Sequence, residues 1–429
     1  MRMTILTLGS RGDVQPYVAL GLGLKNAGYD VCLATFESFQ PFVEAAGLKF
    51  FPMRGNVKEE LETEEARKWL DSDGNPAEFM RHFIALTKKR METVFEDAWH
   101  AAQGCDAIIY STLGIAGYHV AEKLRIPSMM SNLQPFSATK EFPTVGDPLS
   151  FSLGPLYNLN SHFWTDQLLW QPFRKDVNRW RKDVLDLPPV PFWGAYKQLK
   201  QDQIPILYGY SPAVIPKPKD WRDFYHVTGY WFLDEAEDWQ PPQALVDFLG
   251  AGAPPVYIGF GSMSDKDSEG LSQMVSDAVA QVGCRAIVSA GWADLRPYSS
   301  DNIYLAGSVP HSWLFSQMAA VVHHGGAGTT AAGFRAGVPS LVVPYFADQH
   351  FWAKKVKALG VGPTAVRRSQ LTADKLAEAI KIALSDQDIQ TNARRLGEKV
   401  RAEDGVETAV NVIREYLLQN EKTNDPETR

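Results

Sequence analysis

The sequence predicts an α/β protein of two doubly wound, parallel-sheet domains facing each other across a cleft. Three observations carry this. Short apolar runs alternate with helical stretches in both halves of the chain, and a charged, proline-bearing segment from Asp234 to Pro242 separates the halves. The polar or glycine-rich loops all follow the ends of the apolar runs. In open sheets of this kind ligands sit beyond the carboxyl ends of the strands, so two facing domains make a two-sided site.

Met3 to Leu8 is a compact apolar run closed by Gly9, the pattern of a buried strand. Val18 to Ala27 reads as the next helix, started with the help of Pro16, and Asp30 to Thr35 as the next strand. Strand Asp106 to Tyr110, helix Ala116 to Leu124 and strand Ser128 to Ser131 continue the rhythm. From Phe136 to Tyr196 the rhythm breaks and aromatic residues crowd together. Most of them are expected in core or interhelix packing, with a groove for a flat apolar ligand drawing on the rest. Ile204 to Tyr208 restores the alternation. The first domain is therefore expected over 1–235 and a linker over 236–252. A second α/β domain follows over 253–405, with strands at Val256 to Phe260, Arg285 to Ser289 and Ile303 to Ala306. A helix over 406–419 is expected to pack back on the first domain, leaving 420–429 as a frayed polar tail.

At 429 residues the chain has material for two domains of ordinary size, and 45% apolar with 22% charged residues is the composition of a globular protein. A formal charge of −7 excludes nucleic acid as the main partner, because phosphate backbones demand a basic footprint. Cys32, Cys105 and Cys284 are odd in number, scattered and set among apolar residues. They read as reduced buried thiols and not as disulfides or a zinc site, which points to a cytoplasmic compartment. No apolar run reaches about 18 residues, and MRMTILTLGSRGD lacks the features of a signal peptide. Peripheral contact with a membrane stays open.

The richest chemistry lies between Val321 and Phe351. An apolar strand end is followed by His323-His324-Gly325-Gly326-Ala327-Gly328-Thr329-Thr330, then by helical Ala331 to Ala336, stopped at Gly337-Val338-Pro339. A strand, a glycine turn and a helix start aim several backbone N–H groups at one point, and the helix dipole makes that point suit a phosphate. A second apolar run, Ser340 to Pro344, leads to Asp348 and Gln349, whose side chains suit hydroxyl groups. Diphosphate beside polyol is the chemistry of a nucleotide sugar. His324 is placed to donate its ring N–H to a phosphate oxygen, while His323 reads as structural.

The first strand–helix turn, Gly9-Ser10-Arg11-Gly12-Asp13-Val14-Gln15-Pro16, lacks the G-x-G-x-x-G of dinucleotide-binding folds. Asp13 has an ordinary reading as an N-cap, worth about 1 kcal/mol. Its place in a loop facing the cleft also lets a carboxylate accept the proton of an incoming hydroxyl. Arg11 is within reach of a diphosphate, and Ser262, after the first strand of the second domain, is a candidate phosphate donor. Asp71-Ser72-Asp73 has no apolar strand leading into it and reads as a solvated loop, not a metal site. H-E-x-x-H, C-x-x-C and G-x-S-x-G are absent.

Gly-Ser-Arg-Gly-Asp-Val-Gln-Pro near the start, with His-His-Gly-Gly-Ala-Gly-Thr-Thr-Ala-Ala-Gly and Pro-Tyr-Phe-Ala-Asp-Gln near the end, resembles the sterol glucosyltransferases. These belong to the UDP-sugar-dependent transferases of GT-B fold, with two Rossmann-like domains, alongside glycopeptide and macrolide glycosyltransferases. The resemblance implies metal-independent, inverting transfer of glucose from UDP-glucose to a hydroxyl of a hydrophobic acceptor such as a sterol, giving a β-glucoside with no cofactor. It implies Asp13 as general base. Plant relatives use a histidine there, oriented by an aspartate whose place here is taken by Ser111. Arg11, Ser262, His324, Gly326, Gly328 and Thr329 match diphosphate-binding positions. Asp348 and Gln349 match the pair on the sugar hydroxyls, and Val309-Pro310-His311 matches the segment that holds uracil through its backbone. Where plant and macrolide relatives stack a tryptophan on the base, this chain has Ser308, which leaves stacking to Trp292 or Trp313. Alternatives are transfer of another sugar, such as rhamnose from a dTDP donor, epimerisation of the UDP-sugar, and a non-catalytic binding protein.

Overall fold

A computed structural model describes residues 1–55, 76–147, 153–194, 199, 202–234, 239–260, 268–289, 301–345 and 348–424. Their contacts divide into two compact units, Met1–Leu233 with the segment from Asp404 onward, and Asp234–Glu403.

The first unit runs β1 (Arg2–Leu6), α1 (Arg11–Asn26), β2 (Asp30–Phe36), α2 (Gln40–Ala45), β3 (Lys49–Met53), α3 (Pro76–Ala101), β4 (Ala107–Ser111), α4 (Ala116–Leu124) and β5 (Ser128–Asn132). Two helices, α5 (Pro155–Trp170) and α6 (Arg174–Asp183), precede β6 (Ile206–Tyr208) and β7 (Tyr225–Val227). All seven strands are parallel, in the order β3-β2-β1-β4-β5-β6-β7. Every residue of β4 and β5 is buried, because helices cover both faces of a parallel sheet, and this is why β4 reads as an apolar run without alternation. Pro52 is tolerated because β3 lies at the sheet edge.

The second unit runs α7 (Gln243–Gly250), β8 (Val256–Gly259), α8 (Ser268–Val282), β9 (Ala286–Ser289), β10 (Ile303–Ala306), α9 (His311–Phe315), β11 (Ala320–His323) and α10 (Ala327–Ala336). It closes with β12 (Ser340–Val342), α11 (Gln349–Ala358), α12 (Ala373–Ser385) and α13 (Gln387–Arg401). Its five parallel strands take the order β10-β9-β8-β11-β12, the plan of the first sheet with fewer strands. Successive residues alternate between its two cores, Val256, Ile258 and Val322 on one face and Tyr257, Ile287 and Val321 on the other.

A last helix, α14 (Gly405–Asn424), belongs to the first unit. Its Ala409, Val410, Ile413 and Leu417 are buried in the same core as Met3, Ile5 and Leu20. Gly23 of α1 permits this approach, since a Cβ there would stand 2.3 Å from Cγ1 of Val406.

In each sheet the strand order reverses beside the first strand of the unit, between β1 and β4 and between β8 and β11. These switch points are where open parallel sheets leave a crevice for ligands. The helix start after β1 carries Asp13, and the loop after β11 carries His324.

Several elements differ from expectation. Helix α1 starts at Arg11 and not near Val18, leaving Pro16 inside the helix, because the chain is already capped at Ser10. Helix α10 starts at Ala327, four residues before the expected Ala331, with Gly326 as its N-cap. Half of the expected linker forms α7, whose Leu245 is fully buried, and α14 extends to Asn424 into the expected tail. In the aromatic-rich stretch Phe173 and Trp180 are buried, but Phe163, Trp164, Phe192 and Trp193 face outward. Among the described residues no helix is long and apolar enough to cross a membrane.

Candidate active site

The first switch point is organised around Asp13. It occupies the third position of α1, and one carboxylate oxygen, Oδ2, accepts hydrogen bonds from the backbone N and the Oγ of Ser10 at 2.8 and 2.9 Å. This is the reciprocal half of a capping box, in which a carboxylate in the first turn binds the N-cap amide. The other oxygen, Oδ1, accepts none from the described residues. Gly9, at φ +134°, makes room for the carboxylate, because a Cβ there would lie 2.4 Å from Oδ2. Thr7 fixes the turn from below, its Oγ1 donating to the Asp13 carbonyl at 3.0 Å. Burial raises the Asp13 carboxyl above its ordinary value, and the two Ser10 hydrogen bonds offset only part of that. A carboxylate that holds its proton more firmly is a better base. Ser111, at the end of β4, turns its Oγ to the amide of Gly114 at 3.2 Å.

The second switch point is the turn after β11. Gly325 adopts φ +93°, and a Cβ there would press on Val342 Cγ1 at 2.6 Å and on the Gln349 carbonyl oxygen at 3.1 Å. Gly326 caps α10, so the N–H groups of Gly326, Ala327, Gly328 and Thr329 have no intrahelical partner. A Cβ on Gly328 would meet nothing within 4 Å of the described residues. Four free amides on a helix of this length make an anion site. The start of α11 adjoins it through the Gln349 backbone.

Both histidines of the turn are neutral at ordinary pH, because burial lowers His323 to about 3 and His324 to about 4. His323 Nδ1 accepts from the Gly325 amide at 3.0 Å, which leaves the proton on Nε2. That Nε2 is buried with no partner among the described residues, as is Nδ1 of His324. An unmet buried donor costs about 1–3 kcal/mol, a cost that a ligand oxygen would relieve. His324 Nε2 lies only 2.5 Å from where a Gly326 Cβ would stand, so a bare glycine lets the ring lie against the turn.

The remaining predicted residues divide between the units. Arg11 is exposed, donates through Nε to Gln15 at 3.1 Å, and lies over the Phe42 ring at 5.0 Å. In the second unit Val309 packs on one core, and His311 stacks on Phe315 with centroids 4.4 Å apart and meets the Tyr257 hydroxyl at 3.2 Å. Trp313 pairs with Trp239 at 5.4 Å. Asp348 is partly buried and accepts from Trp352 Nε1 at 3.2 Å. Gln349 is only 4% exposed, and its Oε1 accepts from the Tyr345 amide at 2.7 Å. His311, His323, His324, the glycine turn and Gln349 thus share one end of the second sheet. Ser262, Trp292 and the Asp71-Ser72-Asp73 stretch lie outside the described residues.

Reasoning from sequence missed Ser10, Gly9 and the unmet nitrogen of His323. The first was legible, since Ser three residues before Asp at a helix start is a capping-box signature. The other two depend on close packing between elements.

The Glycosyltransferase family 28 N-terminal domain matches residues 3–143, and the C-terminal domain of the Erythromycin biosynthesis protein CIII-like family matches residues 273–414. A sterol 3-beta-glucosyltransferase of Cryptococcus neoformans is 36% identical over 96% of this chain, and one of Pichia angusta is 37% identical over 96%. The chain spans 27% and 33% of the length of these two relatives. Among solved structures, a kitacinnamycin glycotransferase superposes with TM-score 0.69 at 19% identity, covering 97% of this chain and 99% of the other. The calicheamicin glycosyltransferase CalG4 gives 0.67 at 18% identity, covering 97% and 98%. Two parallel sheets of one plan, two matched domain models and homology along nearly the whole chain agree: the chain has the GT-B fold of the glycosyltransferases, and the sterol 3-beta-glucosyltransferases are among its homologues.

Proposed function

We propose that the protein transfers glucose from UDP-glucose to a hydroxyl of a sterol or a similar polycyclic alcohol, with inversion at the anomeric carbon and without a metal ion. The observation that carries this reading is Asp13, a carboxyl with a raised pKa held through one oxygen while the other accepts nothing from the described residues. Sterol and glucose are supported by the names of the homologues, and the diphosphate by the free amides of Gly326 to Thr329. The three unpaired cysteines support a reducing, cytoplasmic setting.

In this mechanism the acceptor hydroxyl hydrogen-bonds to Asp13 Oδ1, and its oxygen attacks the anomeric carbon from the face opposite the leaving UDP. The α-linked donor becomes a β-glucoside, and Asp13 takes the hydroxyl proton as the new bond forms. Negative charge builds on the β-phosphate as the old bond breaks. The amides of the turn and the His324 ring N–H, with Thr329 beside them, stabilise it. One such donor is commonly worth about 10²–10³ in rate. Asp348 and Gln349 bind the sugar hydroxyls, and the Val309–His311 segment the base.

The test is incubation with UDP-glucose and a panel of sterols, triterpenes, flavonoids and macrolides, read by mass spectrometry for gain of one hexose, with the anomeric configuration read by NMR. A β-glucoside formed on sterols at the same rate with and without EDTA is the expected outcome. An α-linked product, or hexose transfer that stops in EDTA, would sink the mechanism. Absence of any product with UDP-glucose, but product with dTDP-rhamnose, would reassign the donor.

A further inference from the structure

Helix α5 is built inside out. Its buried residues are Asn158, His162 and Gln167, whereas Leu156, Phe163, Trp164 and Leu168 are 77, 39, 66 and 51% exposed. The polar residues are not misplaced, because each meets a backbone carbonyl. Asn158 Nδ2 donates to Lys140 at 2.8 Å, His162 Nε2 meets Phe142 at 3.1 Å, and Gln167 Nε2 donates to Trp193 at 3.3 Å. The interior face of the helix is thus fixed by hydrogen bonds and its apolar face is turned outward. Asp166 is the only carboxylate, and no Lys or Arg occurs, in its sixteen residues.

The turn at Phe192-Trp193 enlarges this face. Trp170 Nε1 and Gln171 Nε2 both donate to the Phe192 carbonyl at 2.9 Å and tie the turn to the helix end. Phe192 and Trp193 are 52 and 50% exposed. Ring contacts run from Trp164 to Phe163 at 5.3 Å, from Phe163 to Trp193 at 5.6 Å and from Trp193 to Phe192 at 5.0 Å. A continuous exposed aromatic plaque of this kind marks an interaction surface. Its border is cationic. Arg174 lies over the Phe192 ring at 5.0 Å, and α6 carries Arg174, Lys175, Arg179, Arg181 and Lys182 against Asp176 and Asp183, though Arg181 is turned inward to Glu122. That local excess of positive charge stands in a chain of net charge −7.

We propose that this face docks on the surface of an anionic lipid bilayer. Tryptophan and phenylalanine sit at the boundary between headgroups and acyl chains, where an indole keeps its N–H wet and its ring dry. Helices with an apolar outer face and neighbouring Lys and Arg lie in that plane, gaining from buried apolar area and from attraction to anionic headgroups. A second copy meeting this face with its own would set one cationic border against another, a repulsion that an anionic bilayer replaces by attraction. The proposal does not rest on the acceptor being a sterol.

The test uses the full chain and sterol-free vesicles of phosphatidylcholine, with and without phosphatidylserine, read by co-sedimentation and by the tryptophan emission maximum. Binding with a blue shift, stronger on the phosphatidylserine vesicles, is expected. W164S/W193S should weaken it at least about tenfold, given the apolar area lost. K175E/K182E, at two exposed positions of α6, should abolish the preference for phosphatidylserine and guards against a folding defect in the first variant. Absence of binding to either vesicle, or undiminished binding by W164S/W193S with a native far-UV spectrum, would overturn the proposal. Concentration-dependent self-association that excludes vesicles would overturn it in favour of a dimer face. Because no sterol and no UDP-sugar is present, either result leaves the transferase reading untouched.

Discussion

Of the two oxygens of Asp13, Oδ2 holds the helix start, and under the proposed function Oδ1 meets the acceptor. Asp13→Asn keeps an oxygen for Ser10 and loses the base. It should reduce kcat by about 10²–10⁴ while UDP binding, measured by calorimetry, stays near that of the parent. Its melting temperature should not fall. The native carboxyl binds its proton more firmly than the unfolded chain does, so ionising it as pH rises through the raised value costs stability that an amide never loses. For the same reason the acid limb of kcat/KM should lie above the ordinary aspartate value of ~3.9 and vanish in Asp13→Asn. Gly9→Ala supplies an independent check. Its Cβ would fall 2.4 Å from Asp13 Oδ2 at a backbone angle few side chains adopt, so it should cut activity as deeply as removing the base, with donor affinity preserved.

At the scale of elements the turn after β11 should be sensitive to acid. His323 and His324 have native pKa values of about 3 and about 4, below the ordinary histidine value, so unfolded chains take up protons that the native turn refuses. Stability of the second unit is then full above pH ~6.5 and falls as pH drops toward those values, with each histidine contributing up to about 1.4 kcal/mol per pH unit. Denaturant midpoints measured from pH 7 to pH 4 should show this slope, and His323→Gln should reduce it by one proton. The glycine turn itself was legible in sequence, since Gly-Gly-Ala-Gly follows directly on an apolar strand. The helix start was less so, because Gly328 to Thr330 has poor helix propensity and only the cap at Gly326 and its bonds to Thr330 set the boundary. Helix α5 was illegible for a physical reason. With hydrogen-bonded polar groups inside and aromatics outside, its apolar spacing points to the wrong face.

For the whole molecule, two sheets of one topology were readable from alternating apolar runs, while the short edge strand β7 and the long charged helix α3 left no clear run to read. The C-terminal helix was expected over 406–419 and spans Gly405–Asn424. Its Ile413 is fully buried in the core that also holds Val14 and Tyr17 of α1, the helix that presents Asp13. Ile413→Ala should cost about 2–5 kcal/mol and lower the melting transition of the first unit alone, which differential scanning calorimetry with unit-specific proteolysis would resolve. A variant that lowered both transitions equally would show the two units to unfold as one.

The first unit is assembled from two stretches of chain, with the whole of Asp234–Glu403 between them. During translation the segment bearing Asp13 leaves the ribosome early yet lacks Ala409, Val410, Ile413 and Leu417 until synthesis has passed the second unit. The second unit, being continuous, has every residue of its own sheet available first. The order of maturation therefore runs against the order of synthesis: the glycine turn after β11 is completed before the core behind the helix start that carries Asp13. An unfinished chain keeps part of its amino-terminal core open to water, the kind of surface that chaperones recognise.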